Sequence, residues 1–155
     1  MEPSLRALVI DDHPVFRLGL VAQLRGLSAF GEVGEASDVA SAREAWRAGG
    51  FSLVTLDLSL GGASGFTLLQ EARTGSFGGA VLVVSMHDED AYRARARAEG
   101  ARDLVSKWRF RTTQTISSTC LTSGCCVTAR RGPRRPTPFT ARSPSANCRA
   151  GGIRP

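Results

Sequence analysis

Five short segments that read as strands alternate with amphipathic helical segments along the first 107 residues of the chain. The first of them, 5–10, is a short apolar run of the kind expected for a strand buried on both faces, and each segment is separated from the next by a helical pattern. Strands that alternate with helices pack as a parallel sheet covered by helices on both sides. The alternation therefore predicts an α/β fold with a doubly wound, five-stranded parallel sheet. The predicted strands are 5–10, 31–36, 51–56, 80–84 and 101–105.

Proline, serine and glycine mark the ends of the predicted helices. Pro14 suits the first turn of the first helix, whose apolar side chains recur every three or four residues. Ser37 is expected to cap the second helix, which Gly49 ends. A glycine-rich loop, 61–65, leads into the third helix, and 88–99 is predicted to form the fourth.

Chemically reactive side chains follow four of the five predicted strands. Asp11 and Asp12 follow the first, Asp57 the third, Ser85 the fourth and Lys107 the fifth. These side chains should meet, since the carboxyl ends of parallel strands share one edge of the sheet. Three neighbouring carboxylates repel one another unless a cation joins them, and Mg²⁺ prefers such oxygen ligands. With a hydroxyl and an ammonium added, the set indicates a site for a phosphoryl group.

The motifs that carry these residues resemble, in type and spacing, the receiver domain of bacterial two-component response regulators. The resemblance covers essentially all of residues 1–107. It rests on 9–13 (Val-Ile-Asp-Asp-His), on 57–60 (Asp-Leu-Ser-Leu) with Gly65, on 81–88 ending Ser-Met-His-Asp, and on 100–107. The residues of these motifs are most similar to those of the NarL/FixJ-type subgroup, whose members usually carry a LuxR-type helix-turn-helix domain after the receiver. It implies a CheY-like, flavodoxin-like sheet with strand order 2-1-3-4-5 and a fifth helix beside the first.

The resemblance also implies a role for each site residue. Asp57 would accept phosphate from a sensor histidine kinase and form an acyl phosphate. Asp12, Asp57 and the backbone carbonyl of Ser59 would bind Mg²⁺ directly, and Asp11 would act largely through metal-bound water. The same site would catalyse gain and loss of its own phosphate, so the chain is not expected to be an enzyme acting on a separate substrate.

Two further residues would contact the phosphoryl group itself. Lys107 would contact a phosphoryl oxygen, and Ser85 would hydrogen-bond the group and pull its loop inward. The chain departs from the family at three positions. Gly61 stands where many members have proline, Leu104 where they commonly have tyrosine or phenylalanine, and Trp108 where proline usually follows the lysine.

The composition changes abruptly after Lys107. Residues 1–107 hold 11 Lys+Arg against 14 Asp+Glu, a net charge of −3, whereas 108–155 hold nine Arg and no acid, a net charge of +9. The segment 111–126 is rich in Thr, Ser, Cys and Gly, which are poor helix formers, so the fifth helix is doubtful. We therefore expect a receiver domain at 1–107, extending at most to 127, and a basic, disordered tail at 108–155.

The tail has too few residues for a helix-turn-helix domain of about 60 residues. We expect weak, non-specific contact with nucleic acid and no sequence-specific DNA binding by this chain. A change of reading frame near 107–110 is one explanation for the abrupt change in composition.

The sequence has no apolar run of about 18 residues and no secretory signal pattern, so we expect a cytoplasmic protein without membrane contact. The expected partners are a histidine kinase and, as a further possibility, a second receiver.

One alternative is an interaction module that does not turn over phosphate. Another is an aspartyl-phosphate phosphatase or phosphotransferase of the haloacid dehalogenase type, which would need an acid where Ser59 stands.

Overall fold

The computed structural model of the protein describes residues 5–75, 78–87 and 89–109. Strands and helices alternate through these residues as the sequence predicts. Their bounds are β1 (Leu5–Ile10), α1 (Pro14–Arg25), β2 (Phe30–Ala36), α2 (Val39–Ala48), β3 (Leu53–Leu56), β4 (Ser59–Leu60), β5 (Ala63–Ser64), α3 (Gly65–Thr74), β6 (Ala80–Ser85), α4 (Asp90–Ala98) and β7 (Asp103–Ser106).

Five of the strands form one parallel sheet in the order β2-β1-β3-β6-β7. Because β6 and β7 are the fourth and fifth strands of the predicted sheet, the predicted order 2-1-3-4-5 is confirmed. The chain winds outward in both directions from the boundary between β1 and β3, where ligands bind in folds of this kind. The remaining strands, β4 and β5, form a small antiparallel hairpin that the sequence analysis did not predict.

The sheet separates two apolar cores. Along β1 the side chains alternate, with Leu8 and Ile10 in the core beneath α2, α3 and α4 and with Ala7 and Val9 in the core beneath α1. All four are fully or almost fully buried. A strand segment covered on both faces must be apolar at every position, which is why residues 7–10 of β1 form an unbroken apolar run, whereas Arg6 lies before the buried part of the strand.

Helix α1 begins at Pro14, as predicted, and buries Leu20, Val21 and Leu24 against the sheet. Its first position tolerates proline because the N–H that proline lacks would have no partner inside the helix. The opposite side of α1 exposes Val15 and Leu18. In the described part of the chain, α1 is the single helix packed on this face of the sheet.

The predicted cap of α2 is wrong by one residue. Asp38, not Ser37, occupies the N-cap: its carboxylate accepts from the Ser41 backbone N–H at 2.8 Å, and the Ser41 hydroxyl accepts from the Asp38 N–H at 3.2 Å. This reciprocal pair satisfies two N–H groups that a helix start otherwise leaves without partners. Gly49 follows the helix with φ at 71°, so the predicted end is confirmed.

Several predicted boundaries shift, and others fall outside the described residues. Helix α4 is shorter than the predicted 88–99, and β7 begins at Asp103 rather than 101 because the Ala101 N–H donates to Ala96 O, closing the turn after α4. The segment where a fifth helix would lie and the tail beyond 109 are outside the described residues. Among the described helices, none is long and apolar enough to cross a membrane.

Candidate functional site

The acidic residues lie at the carboxyl edge of the sheet, where the two central strands end. The Asp57 N–H donates to Ile10 O at 2.9 Å, and the Asp11 N–H donates to Ala36 O at 3.1 Å. These bonds continue the strand pairing one residue past β3 and β1. Asp11 and Asp57 are each only 2% exposed. The sheet itself therefore brings together two carboxylates that are 46 positions apart in the sequence.

Lys107 reaches both buried carboxylates from the far strand. The backbone N–H of Lys107 donates to Ser85 O at 2.8 Å, which fixes the Lys107 backbone beside the end of β6. Its Nζ lies 2.6 Å from Asp57 Oδ2 and 2.6 Å from Asp11 Oδ2, and the side chain is 5% exposed. The Phe16 ring lies 4.7 Å from the same nitrogen. The ammonium is thus held by two charged partners and an aromatic face, with little access to water.

Ser85 ends β6, which lies between β3, the strand that precedes Asp57, and β7, the strand that precedes Lys107. It pairs in register with Ser106 and is fully buried. The His87 N–H donates to its Oγ at 3.4 Å. The structure thus places the predicted hydroxyl on the predicted edge of the sheet.

The loop after Asp57 is tied back to the acidic residues. The Gly61 N–H donates to Asp12 Oδ2 at 2.8 Å, and Gly61 has φ at 57°. The Ser59 N–H donates to Asp57 Oδ1 at 3.3 Å. A Cβ at Gly65 would overlap the Asp57 carbonyl oxygen, so the glycine of the motif is required by close backbone approach.

His13 is a member of the cluster that the sequence analysis did not select. Its Nδ1 lies 2.8 Å from Asp12 Oδ1, 3.3 Å from Asp11 Oδ1 and 3.8 Å from Asp57 Oδ2. The signal that could have identified it is its position directly after the acidic pair, before the first residue of α1. The imidazole is 59% exposed and forms the outer wall of the cluster.

The donor set fits a divalent cation. Asp11, Asp12, His13 and Asp57 each offer a ligand atom, and these atoms lie within 4.8 Å of one another. The three carboxylates carry two more negative charges than the single positive charge of Lys107 can balance. Asp12 Oδ1 is buried and has no hydrogen-bond partner, because His13 Nδ1 is close enough but not aligned for a hydrogen bond. A carboxylate oxygen of this kind is a ready ligand for a hard cation.

The fold and the site together define a class: a CheY-like α/β domain with an acidic cluster and a lysine at the carboxyl edge of its sheet. Comparison with known protein families agrees with this class, since the family model of the response regulator receiver domain matches residues 7–116. The chain belongs to this family.

Named relatives support the assignment to the NarL-like group. The probable transcriptional regulatory protein NarL of Mycobacterium tuberculosis is 35% identical over 109 residues, which are 70% of this chain and 50% of the relative. The solved signal receiver domain of the putative response regulator NarL from the same species has a TM-score of 0.67 and 31% identity, covering 79% of this chain and 96% of that one.

A second solved structure has the same fold. It is a response regulator from Burkholderia pseudomallei with a phosphorylated aspartic acid, calcium ion and citrate. Its TM-score is 0.64 at 27% identity, over 79% of this chain and 69% of that chain. The present chain spans about half the length of the curated relatives it matches.

Proposed function

We propose that this chain is the receiver module of a phosphorelay and accepts a phosphoryl group on Asp57 from a sensor histidine kinase. The observation that carries the proposal is the contact of Lys107 Nζ with both Asp57 and Asp11 at 2.6 Å. This contact brings the ends of β1, β3 and β7 together around the buried carboxylate of Asp57, which would be the nucleophile. The phosphorylated aspartic acid of the Burkholderia pseudomallei relative supports an aspartate as the phosphoacceptor in this fold.

The proposed transfer needs positioning more than covalent activation. A carboxylate oxygen of Asp57 forms the new bond to phosphorus, while the bond from phosphorus to the kinase imidazole breaks and leaves its electron pair on that nitrogen. Lys107 would then contact one phosphoryl oxygen and the Ser85 hydroxyl would donate to another. Hydrolysis at the same site would remove the group without a second protein.

The proposed cofactor is Mg²⁺. Asp12, Asp57 and the Ser59 carbonyl would hold the ion directly, with Asp11 acting through water. When bound, the ion supplies positive charge to the phosphoryl oxygens as the negative charge redistributes. The buried Asp12 Oδ1 without a hydrogen-bond partner supports this set.

The setting follows from the same proposal. The module works in the cytoplasm, its phosphodonor is the kinase, and a second receiver is a candidate partner. Sequence-specific DNA binding is not part of what we propose for this chain, although NarL of Mycobacterium tuberculosis is described as a probable transcriptional regulatory protein.

Acetyl phosphate with Mg²⁺ tests the proposal without the kinase, because the site performs the transfer and the donor only has to fit. We expect intact-mass spectrometry to show an increase of about 80 Da, that of one phosphoryl group. Asp57→Asn should abolish it, and Asp12→Ala should reduce it strongly. Glu32→Gln, which changes an exposed acid that pairs with Arg6 near the amino ends of β1 and β2, is the matched control and should label normally.

Two outcomes would contradict the proposal. One is an unlabelled wild type whose circular dichroism shows a folded protein, which would favour the interaction module that does not turn over phosphate. The other is equal labelling of the Asp57→Asn variant, which would place the phosphoryl group elsewhere.

A further inference from the structure

His13 faces the same cluster as the carboxylates, although the proposed Mg²⁺ site does not use it. Its Nδ1 lies 2.8 Å from Asp12 Oδ1, 3.3 Å from Asp11 Oδ1 and 3.4 Å from Lys107 Nζ. The ring nitrogen therefore points into the pocket and not toward solvent.

The backbone holds this orientation from both sides. The His13 N–H donates to Asp11 Oδ1 at 2.8 Å, and the His13 carbonyl accepts from the Arg17 N–H at 2.9 Å. His13 is the N-cap residue of α1, with extended backbone angles that the following Pro14 favours. The imidazole is thus presented from a fixed point beside the acidic pair.

The spacing of the donor atoms suits a shared ion. Adjacent ligand atoms around an octahedral ion with bonds of about 2.1 Å lie about 3 Å apart. The separation of 2.8 Å between His13 Nδ1 and Asp12 Oδ1 is close to that value. Asp12 Oδ1 has no hydrogen bond to give up on binding.

We propose that His13 supplies an imidazole ligand to the cation site and shifts its preference from Mg²⁺ toward first-row transition metal ions. The inference rests on the proposed function, since it concerns the metal of that same site. Imidazole nitrogen is a poor ligand for Mg²⁺ but a good one for ions such as Co²⁺, Ni²⁺ and Zn²⁺. A site with oxygen ligands alone lacks this source of discrimination. His13 is thus a specificity-determining residue for the ion.

Pulsed electron paramagnetic resonance of Mn²⁺ tests ligation directly. Untagged protein labelled with ¹⁵N-histidine and loaded with Mn²⁺ should show a coupling from the bound nitrogen. The chain has two histidines, so His87→Asn is the matched control and should keep the coupling, while His13→Asn should lose it. Absence of the coupling in the wild type, or its loss in His87→Asn alone, overturns the inference.

Calorimetric titration with Co²⁺ and with Mg²⁺ tests the preference. We expect His13→Asn to weaken Co²⁺ binding at least about fivefold and to change Mg²⁺ binding less than about twofold. Equal losses for both ions would show a structural role and overturn the inference.

Labelling by acetyl phosphate with Mg²⁺ separates this inference from the proposed function. A wild type that gains the phosphoryl mass but shows no nitrogen coupling rejects the His13 assignment alone. A wild type that shows the coupling but never gains the mass rejects the phosphoacceptor assignment alone.

Discussion

At the scale of single residues, Lys107 supplies the positive charge that balances the buried carboxylates of the site. It is the only lysine in the chain, and its ammonium is the cation shared by two buried carboxylates. A buried carboxylate that loses its partner keeps the cost of desolvation without the compensating attraction. The folded state should therefore depend strongly on this one charge.

Lys107→Met removes the charge, and with it the contact of the ammonium with the Phe16 ring, but keeps a long unbranched side chain. We expect the free energy of unfolding, measured with urea, to fall by about 3 kcal/mol in the absence of divalent ions. Added Mg²⁺ should restore part of the loss by neutralising the same carboxylates. A loss below about 1 kcal/mol, or no response to Mg²⁺, would show that the carboxylates are stabilised in another way.

Gly61 is a second residue with a specific requirement. Its N–H bonds Asp12 Oδ2 and its φ is positive, and proline can supply neither. We expect Gly61→Pro to lower the free energy of unfolding by about 2 kcal/mol or more and to weaken Mg²⁺ binding.

Gly61→Ala is the control for this loop, because alanine keeps the N–H and bears only the conformational cost of about 1 kcal/mol. Similar Mg²⁺ affinities for the two variants would show that the hydrogen bond to Asp12 does not hold the site. A proline at position 61 would require a loop conformation other than the one seen in this chain.

At the scale of secondary-structure elements, the N-terminus of α2 depends on one carboxylate. The backbone N–H of Ser41, with a further hydrogen bond from the Ser37 hydroxyl, lowers the pKa of Asp38 below its ordinary value of 3.8. A carboxyl whose pKa is lower in the folded state stabilises the fold above its unfolded pKa. That contribution is lost as the pH falls through the folded pKa.

Asp38→Ala should therefore be less stable than the wild type near neutral pH. We expect the difference in unfolding free energy to be constant above about pH 5 and to shrink below about pH 4. Urea unfolding of the wild type, Asp38→Ala and Asp38→Asn across that pH range makes the comparison. Asparagine keeps the hydrogen-bond acceptor of the cap but loses its charge. A difference that is independent of pH down to about pH 2 would show that the charge contributes nothing.

The order of elements was predictable because buried strands and amphipathic helices leave different periodicities. The β4–β5 hairpin was missed since two-residue strands have no period to detect. The cap of α2 was predicted one residue early because serine and aspartate are both good caps, and only the position of the first helical turn distinguishes Ser37 from Asp38.

The candidate site was predictable in part, through the rule that the carboxyl ends of parallel strands converge. It places Asp11, Asp57 and Lys107 together without any knowledge of side-chain contacts. His13 was missed because its place in the cluster depends on the backbone turn before α1, which no periodicity reports. The metal-binding roles of Asp12 and Ser59 stay predictions.

At the scale of the whole molecule, two regions differ in charge. Residues 1–107 carry −3 and 108–155 carry +9. A chain with nine arginines in one acid-free stretch attracts phosphate backbones of any sequence through the release of counterions. Base recognition needs side chains positioned by a folded element, which the composition of that stretch does not predict.

We therefore expect binding to duplex DNA that weakens steeply between low and physiological salt and scarcely distinguishes a promoter fragment from a random duplex. Competition measurements at two salt concentrations provide the check. A preference of about 100-fold for one duplex at physiological salt, roughly 2.7 kcal/mol, would contradict this expectation.

Chemical mapping of the modified residue tests the role of Asp57 most directly. Borohydride reduces an acyl phosphate of aspartate to homoserine, so the treated protein can be digested and sequenced by tandem mass spectrometry. After incubation with acetyl phosphate and Mg²⁺, we expect homoserine at position 57 and unchanged aspartate at positions 11 and 12. Homoserine at another position, or aspartate retained at 57 in protein that has gained the phosphoryl mass, would contradict the assignment of Asp57 as the phosphoacceptor.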